Sequence, residues 1–111
     1  MRERILYNRD MTSHTKKKKP SQDDFARLLY ALGDPVRLEI VRQLAHRGEI
    51  PCGGFGMDMP KSSLSHHFRV LREAGILGAR SEGTSILNFL LLEELEQRFP
   101  GLLPGVLGNL K

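Results

Sequence analysis

The stretch from Lys61 to Ala74 limits what this chain can fold into more than any other. Leu64, Phe68 and Leu71 fall at i, i+4 and i+7, the spacing that aligns one buried stripe on a helix. The other side carries Lys61, Ser62, Ser63, Ser65, His66, His67 and Arg69, small or flexible hydrogen-bonding groups concentrated in the first two turns. Such a helix lies on a scaffold along one face and leaves the other uncovered. Gly75 ends it. The periodicity then changes: residues 77–81 and 84–90 read as two short strands joined at Glu82-Gly83, with β-branched Thr84 and Ile86 in the return strand.

The scaffold is readable upstream. Ser21 is a good helix cap, and Asp23 and Asp24 suit the positive end of a helix. Phe25, Leu28, Leu29 and Leu32 repeat at helical spacing until Gly33. Asp34 caps a second helix with Pro35 at its first position, where the missing N–H costs nothing. Val36, Leu38, Ile40, Val41, Leu44 and Ala45 form its broad apolar stripe, closed by Gly48. Residues 49–60 are dense in Gly and Pro, and a short or irregular helix around Cys52–Met57 is the most they support. A closing helix carries Leu91, Leu92, Leu95 and Phe99 up to Pro100-Gly101, with Leu102, Leu103, Val106 and Leu107 apolar beyond that break. No internal repeat is present.

Charge is unevenly distributed, and the distribution matters more than the formal total of +4. Residues 1–20 hold seven Lys/Arg against two acids, whereas residues 21–111 hold ten against eleven. Within the latter, residues 60–80 place Lys61, Arg69, Arg72 and Arg80 against Glu73 alone, between two stretches of net −2. Residues 21–111 are thus near neutral but polarised, with the positive stretch on the polar-faced helix and the hairpin. Residues 1–20, ending in four lysines and Pro20, read as a flexible basic arm, and residues 21–111 as one domain. The lysine run is either a solvated tail or a salt-dependent contact to phosphates. Met11 is an alternative start, with residues 1–10 then an upstream extension.

Several classes are excluded. No uncharged apolar run reaches the roughly 18 residues of a membrane span, and no signal-peptide core is present. Cys52 is the single cysteine, too few for a disulfide framework or a Cys-rich zinc site, so a cytoplasmic location is expected. There is no Gly-rich phosphate loop, metal-ligand set or paired-carboxylate motif, and the Ser and His residues share one helix without an orienting acid. Neither an enzyme nor a cofactor is expected.

Helices, a polar-faced helix, a two-stranded hairpin and a closing helix make a winged helix-turn-helix, mainly α with a small β-hairpin. The segments Ala31-Leu32-Gly33-Asp34-Pro35-Val36-Arg37-Leu38 and Ser62-Ser63-Leu64-Ser65-His66-His67-Phe68-Arg69-Val70-Leu71-Arg72-Glu73-Ala74-Gly75 occur together, before a wing. In this the chain resembles the ArsR (SmtB/ArsR) family of winged-helix repressors over roughly residues 22–100. The resemblance implies a homodimer paired through its first and last helices, binding a palindromic operator in double-stranded DNA and usually repressing the promoter. Metal-sensing members often carry Cys-x-Cys before the recognition helix, or Asp/His and His/Glu pairs on the last helix. Here Pro51-Cys52-Gly53 offers one thiol, and the last helix has Glu93, Glu94 and Glu96 but no histidine. No metal site is expected, and the expected release signal is a small molecule or another effector of unassigned identity.

The expected DNA-contact set is Lys61, Ser62, Ser63, Ser65, His66, His67, Arg69 and Arg80. His66 and His67 point about 100° apart on a helix, so at least one is expected to contact DNA, with packing on the scaffold as the alternative for the other. Arg72 suits an ion pair within the helix-turn-helix equally well. Phe25, Leu28, Leu29, Leu32, Leu92, Leu95 and Phe99 exceed what a small core easily hides and are assigned to a dimer seam, with plain core as the alternative. Cys52 reads first as a small buried hydrophobe and second as a redox-responsive thiol. The competing function is a winged-helix protein-docking module with only non-specific nucleic-acid affinity.

Overall fold

The computed structural model describes residues 20–110, so the basic arm expected at residues 1–20 lies, apart from Pro20, outside the described residues. Helix α1 (Gln22–Leu32) starts with a reciprocal cap: Asp24 N donates to Ser21 Oγ at 3.1 Å, and Ser21 N donates to Asp24 Oδ2 at 3.0 Å. Helix α2 (Pro35–Arg47) starts on Asp34, whose Oδ2 accepts from Val36 N and Arg37 N. Strand β1 (Ile50–Pro51) and a 3-10 turn (Cys52–Gly54) follow, then helix α3 (Lys61–Glu73). Strands β2 (Leu77–Glu82) and β3 (Ser85–Leu90) form the hairpin, and helices α4 (Leu92–Arg98) and α5 (Leu102–Gly108) close the fold.

The sheet has three antiparallel strands in the order β1-β3-β2, one more than the sequence suggested. Ile50 pairs with Asn88 and Pro51 with Leu87. A two-residue edge strand has no periodicity of its own, and proline is tolerated there because an edge leaves its missing N–H unneeded. The hairpin turn also sits one residue later than expected: Glu82 still pairs with Ser85, leaving Gly83 and Thr84 as the loop. Gly83 has φ +62°, the left-handed setting that a tight hairpin requires at its first loop position. At Gly78 the demand is space, since a Cβ would lie 2.6 Å from the Phe89 ring across the pair. Residues 52–57 form only the 3-10 turn and irregular backbone, and the apolar residues after Pro100-Gly101 form α5.

One core joins these elements. Leu28 and Ala31 of α1, Ile40, Val41 and Leu44 of α2, Phe68 and Leu71 of α3, and Ile50, Ile76 and Leu77 beside the sheet are all buried. Leu71 and Phe68 are the stripe read from the sequence, with Leu64 half-buried at the start of the helix. Leu28, Leu32, Leu95 and Phe99 of the expected dimer seam belong to this core, while Phe25, Leu29 and Leu92 stay exposed. A helical stripe wider than one packing face divides in this way: its centre meets the chain's own core and its flank looks outward.

Leu71 is fully buried at the junction of α3 with the scaffold. Leu71→Ala is expected to cost about 2–5 kcal/mol, read from urea unfolding as a lower midpoint at unchanged slope.

Candidate nucleic-acid interface

Helix α3 presents Lys61, Ser62, Ser63, Ser65, His66 and Arg69 as exposed side chains, while Phe68 and Leu71 are buried; Lys61, seven residues before Phe68, is exposed because it stands at the start of the helix. No side chain caps its start: Pro60 occupies the cap position, so the N–H groups of the first turn have no side-chain partner there. The positive end of the helix dipole, two exposed hydroxyls and Lys61 therefore meet at one point, an arrangement suited to a phosphate oxygen. His66 and Arg69 stand one turn further on, with His66 Nδ1 at 3.4 Å from Arg69 Nη2. Six of the eight expected contact residues are thus exposed on this one helix.

His67 does not. Its ring is half-buried against the start of α2, with Nδ1 at 3.1 Å from Arg37 Nη1 and 3.6 Å from Asp34 Oδ2. Arg37 has no acceptor to offer, so this contact needs Nδ1 unprotonated, which puts the ring proton on Nε2. Burial lowers the His67 pKa below its ordinary 6.5; the Asp34 charge opposes that, and Arg37 and His66 reinforce it. Arg37 itself is buried. Its Nε donates to Ala31 O at 2.7 Å, Nη2 donates to Tyr30 O at 3.4 Å, and its guanidinium lies 5.3 Å from the Tyr30 ring centroid. One side chain thus covers the last carbonyls of α1 and reaches α3. The structural role of Arg37 was not evident from the sequence pattern, although its place three residues after a capping Asp was the available signal.

Arg80 is also held within the fold. Its Nε and Nη2 donate to both Glu49 carboxylate oxygens at 2.7 and 2.6 Å, and Nη1 donates to Glu82 at 2.6 Å. This fork holds the Glu49 carboxyl below its usual pKa. Arg80 therefore ties β2 to the lead-in of β1 rather than offering a free cation on the wing. Cys52 is exposed, contrary to its expected burial, and its Sγ lies 3.4 Å from Nδ2 of Asn88. Asn88 is fully buried and also donates to Ile50 O at 3.2 Å, pinning β1 to β3. Its role is not legible in the sequence, because one Asn in an apolar strand carries no periodic signal.

Comparison with known proteins agrees with this geometry. A family model described as a helix-turn-helix domain matches residues 32–77, the span from the end of α1 to the start of β2. An uncharacterised HTH-type transcriptional regulator of Methanocaldococcus jannaschii is 42% identical over 75 residues, covering 65% of this chain and 83% of its own. Another from Bacillus subtilis is 36% identical over 96 residues, covering 83% and 92%. The crystal structure of the transcriptional repressor BigR from Xylella fastidiosa is 31% identical with a TM-score of 0.52, covering 78% of this chain and 94% of that one.

Two outcomes test the buried junction. Arg37→Lys keeps the charge but loses the fork, and a stability loss of about 1–3 kcal/mol is expected in denaturant titration. The depressed His67 pKa means the unfolded chain takes up the proton first. Stability is therefore full above the ordinary 6.5 and falls as pH drops through it towards the lower folded value. His67→Gln is expected to flatten that fall between about pH 7.5 and about pH 5, where ordinary carboxylates stay ionised. An equal fall in variant and parent would assign it to another group.

Proposed function

The chain belongs to the ArsR (SmtB/ArsR) family of winged helix-turn-helix, DNA-binding transcription regulators, and on that premise we propose that it is a repressor acting as a homodimer on a palindromic operator. The observation that carries the proposal is the open face of α3. Its hydroxyls allow close approach to a base edge or phosphate, and Lys61, His66 and Arg69 supply longer donors. Lys61 and Arg69 serve best as phosphate contacts, and Ser65 and His66, further along the same face, as base readers. His67 and Arg80 leave the proposed contact set because each is committed to partners inside the fold. The repressor named among the similar structures supports repression as the outcome of binding.

The homodimer rests on exposed apolar surface. Five large hydrophobic side chains are exposed among the described residues, and four of them, Phe25, Leu29, Tyr30 and Leu92, lie on α1 and α4. Phe25 stacks on Phe99 at 5.4 Å between centroids, joining the outer side of α1 to the end of α4. Beside Leu92 a groove of about 230 Å³ is lined by Glu96, Leu103, Pro104 and Leu107. A second copy covering this surface would remove it from water, and operator binding by such a dimer requires its two α3 helices about one DNA turn apart, roughly 34 Å.

The test combines binding and assembly. His66→Ala is expected to cost about 1–3 kcal/mol of operator discrimination, and Lys61→Ala to lower the salt slope by about 1. Leu29→Glu with Leu92→Glu is expected to give monomers in sedimentation and to abolish operator binding. Equal affinity of the parent for its own upstream DNA and for random duplex at physiological salt would refute the proposal.

A further inference from the structure

The lead-in to α3 is irregular, uncapped and still well placed, and the groups that place it lie on α2. Irregular backbone must find partners for its carbonyls. Gln43 Nε2 donates to Phe55 O at 3.1 Å, and Arg47 Nη1 donates to Gly54 O at 3.1 Å and to Gln43 Oε1 at 3.3 Å. Gln43 is itself oriented, since the same Nε2 donates to Glu39 Oε2 at 2.9 Å and Glu39 is gripped by Arg42 at 2.6 and 2.9 Å. The Arg42 hydrogen bond lowers the Glu39 pKa to about 2, so this ladder keeps its charges through the physiological range. On its other side the buried Phe55 ring packs in a tilted contact, 5.3 Å between centroids, on Phe68 of α3. Phe55 is thus held by its carbonyl from α2 and by its ring from α3. A shift of the carbonyl moves the ring, and with it the seat of the helix.

We infer that Gln43, oriented by Glu39 and assisted by Arg47, is a positioning residue for DNA reading, setting the pitch of α3 through Phe55 without touching its polar face. The inference rests on α3 being the DNA-reading helix. Gln43→Met keeps the side-chain length and removes the donor; Arg47→Lys keeps one donor and the charge. The probes are a duplex selected by the parent protein from a random library, and an unselected random duplex. Gln43→Met is expected to lose about tenfold in the selected-to-random affinity ratio while affinity for random duplex and its salt slope stay unchanged, because no cation is lost. Amide exchange in the free protein is expected to rise over residues 55–64 and not in β2 or β3. Arg47→Lys is expected to keep the parent ratio. A Gln43→Met ratio equal to the parent's overturns the inference while leaving the role of α3 intact. A parallel loss on both duplexes with faster exchange throughout overturns it too, as ordinary destabilisation. A parent protein without any selected-to-random preference overturns the DNA-reading role itself, and this inference with it.

Discussion

A buried guanidinium holds the junction of three helices, and the placement of the polar helix depends on it. Removing an arginine from water is costly unless every donor finds a partner and the charge finds compensation. Each of the three guanidinium nitrogens of Arg37 finds one partner. The carbonyl ends of α1 supply acceptors at the negative end of a helix dipole, Tyr30 supplies a ring face, and Asp34 lies at the start of the same helix. The α1–α2 elbow is therefore specified by direction as well as by apolar contact. His67 extends that specification to α3, because the only free acceptor on its ring is turned to Arg37. Charge that would be a liability in an apolar core here selects one relative orientation of three helices.

The second organising device is the sheet. Two residues of β1 would not hold an edge by backbone pairing alone, and Asn88 adds a side-chain bond to Ile50 O from inside the core. Arg80 closes the other end, joining β2 to Glu49 just before β1. The irregular segment 52–60 therefore leaves a fixed strand at one end and enters a fixed helix at the other, with Gln43 and Arg47 satisfying carbonyls between. Glycine and proline density makes such a segment a poor helix. Tethering it at both ends makes helical structure unnecessary.

What the sequence disclosed follows from how local each signal is. The starts of α1 and α2 were legible because a cap and its helix lie within four residues of each other. The two faces of α3 were legible because its periodicity is strong over 13 residues. Strand β1 was not, since its meaning lies in a pairing 38 residues away. The bidentate partner of Arg80, Glu49, lies 31 residues back, so an exposed wing cation and an internal clasp look identical in one dimension. Periodicity identified Leu28 and Leu29 alike as apolar positions of α1, but only packing shows that Leu28 is buried and Leu29 is not. Cys52 inverted its compositional expectation because a two-residue edge strand and a 3-10 turn leave little structure to cover it.

These distinctions change where selectivity for DNA can reside. The sequence places four cations against one acid over residues 60–80, and Arg80 counts among them. With Arg80 bound by Glu49 and Glu82, the hairpin has little charge left to offer a phosphate, and the positive stretch contracts onto Lys61, Arg69 and Arg72 of α3. A single helix bearing a few cations gives modest non-specific affinity, since that affinity scales with the number of phosphates neutralised. On the proposed reading of α3, discrimination then depends on geometry: short hydroxyls and His66 would act only where the helix lies at the right depth and angle in the groove. A scaffold that fixes its recognition helix through a buried arginine at one end and a strapped loop at the other is what such a division requires.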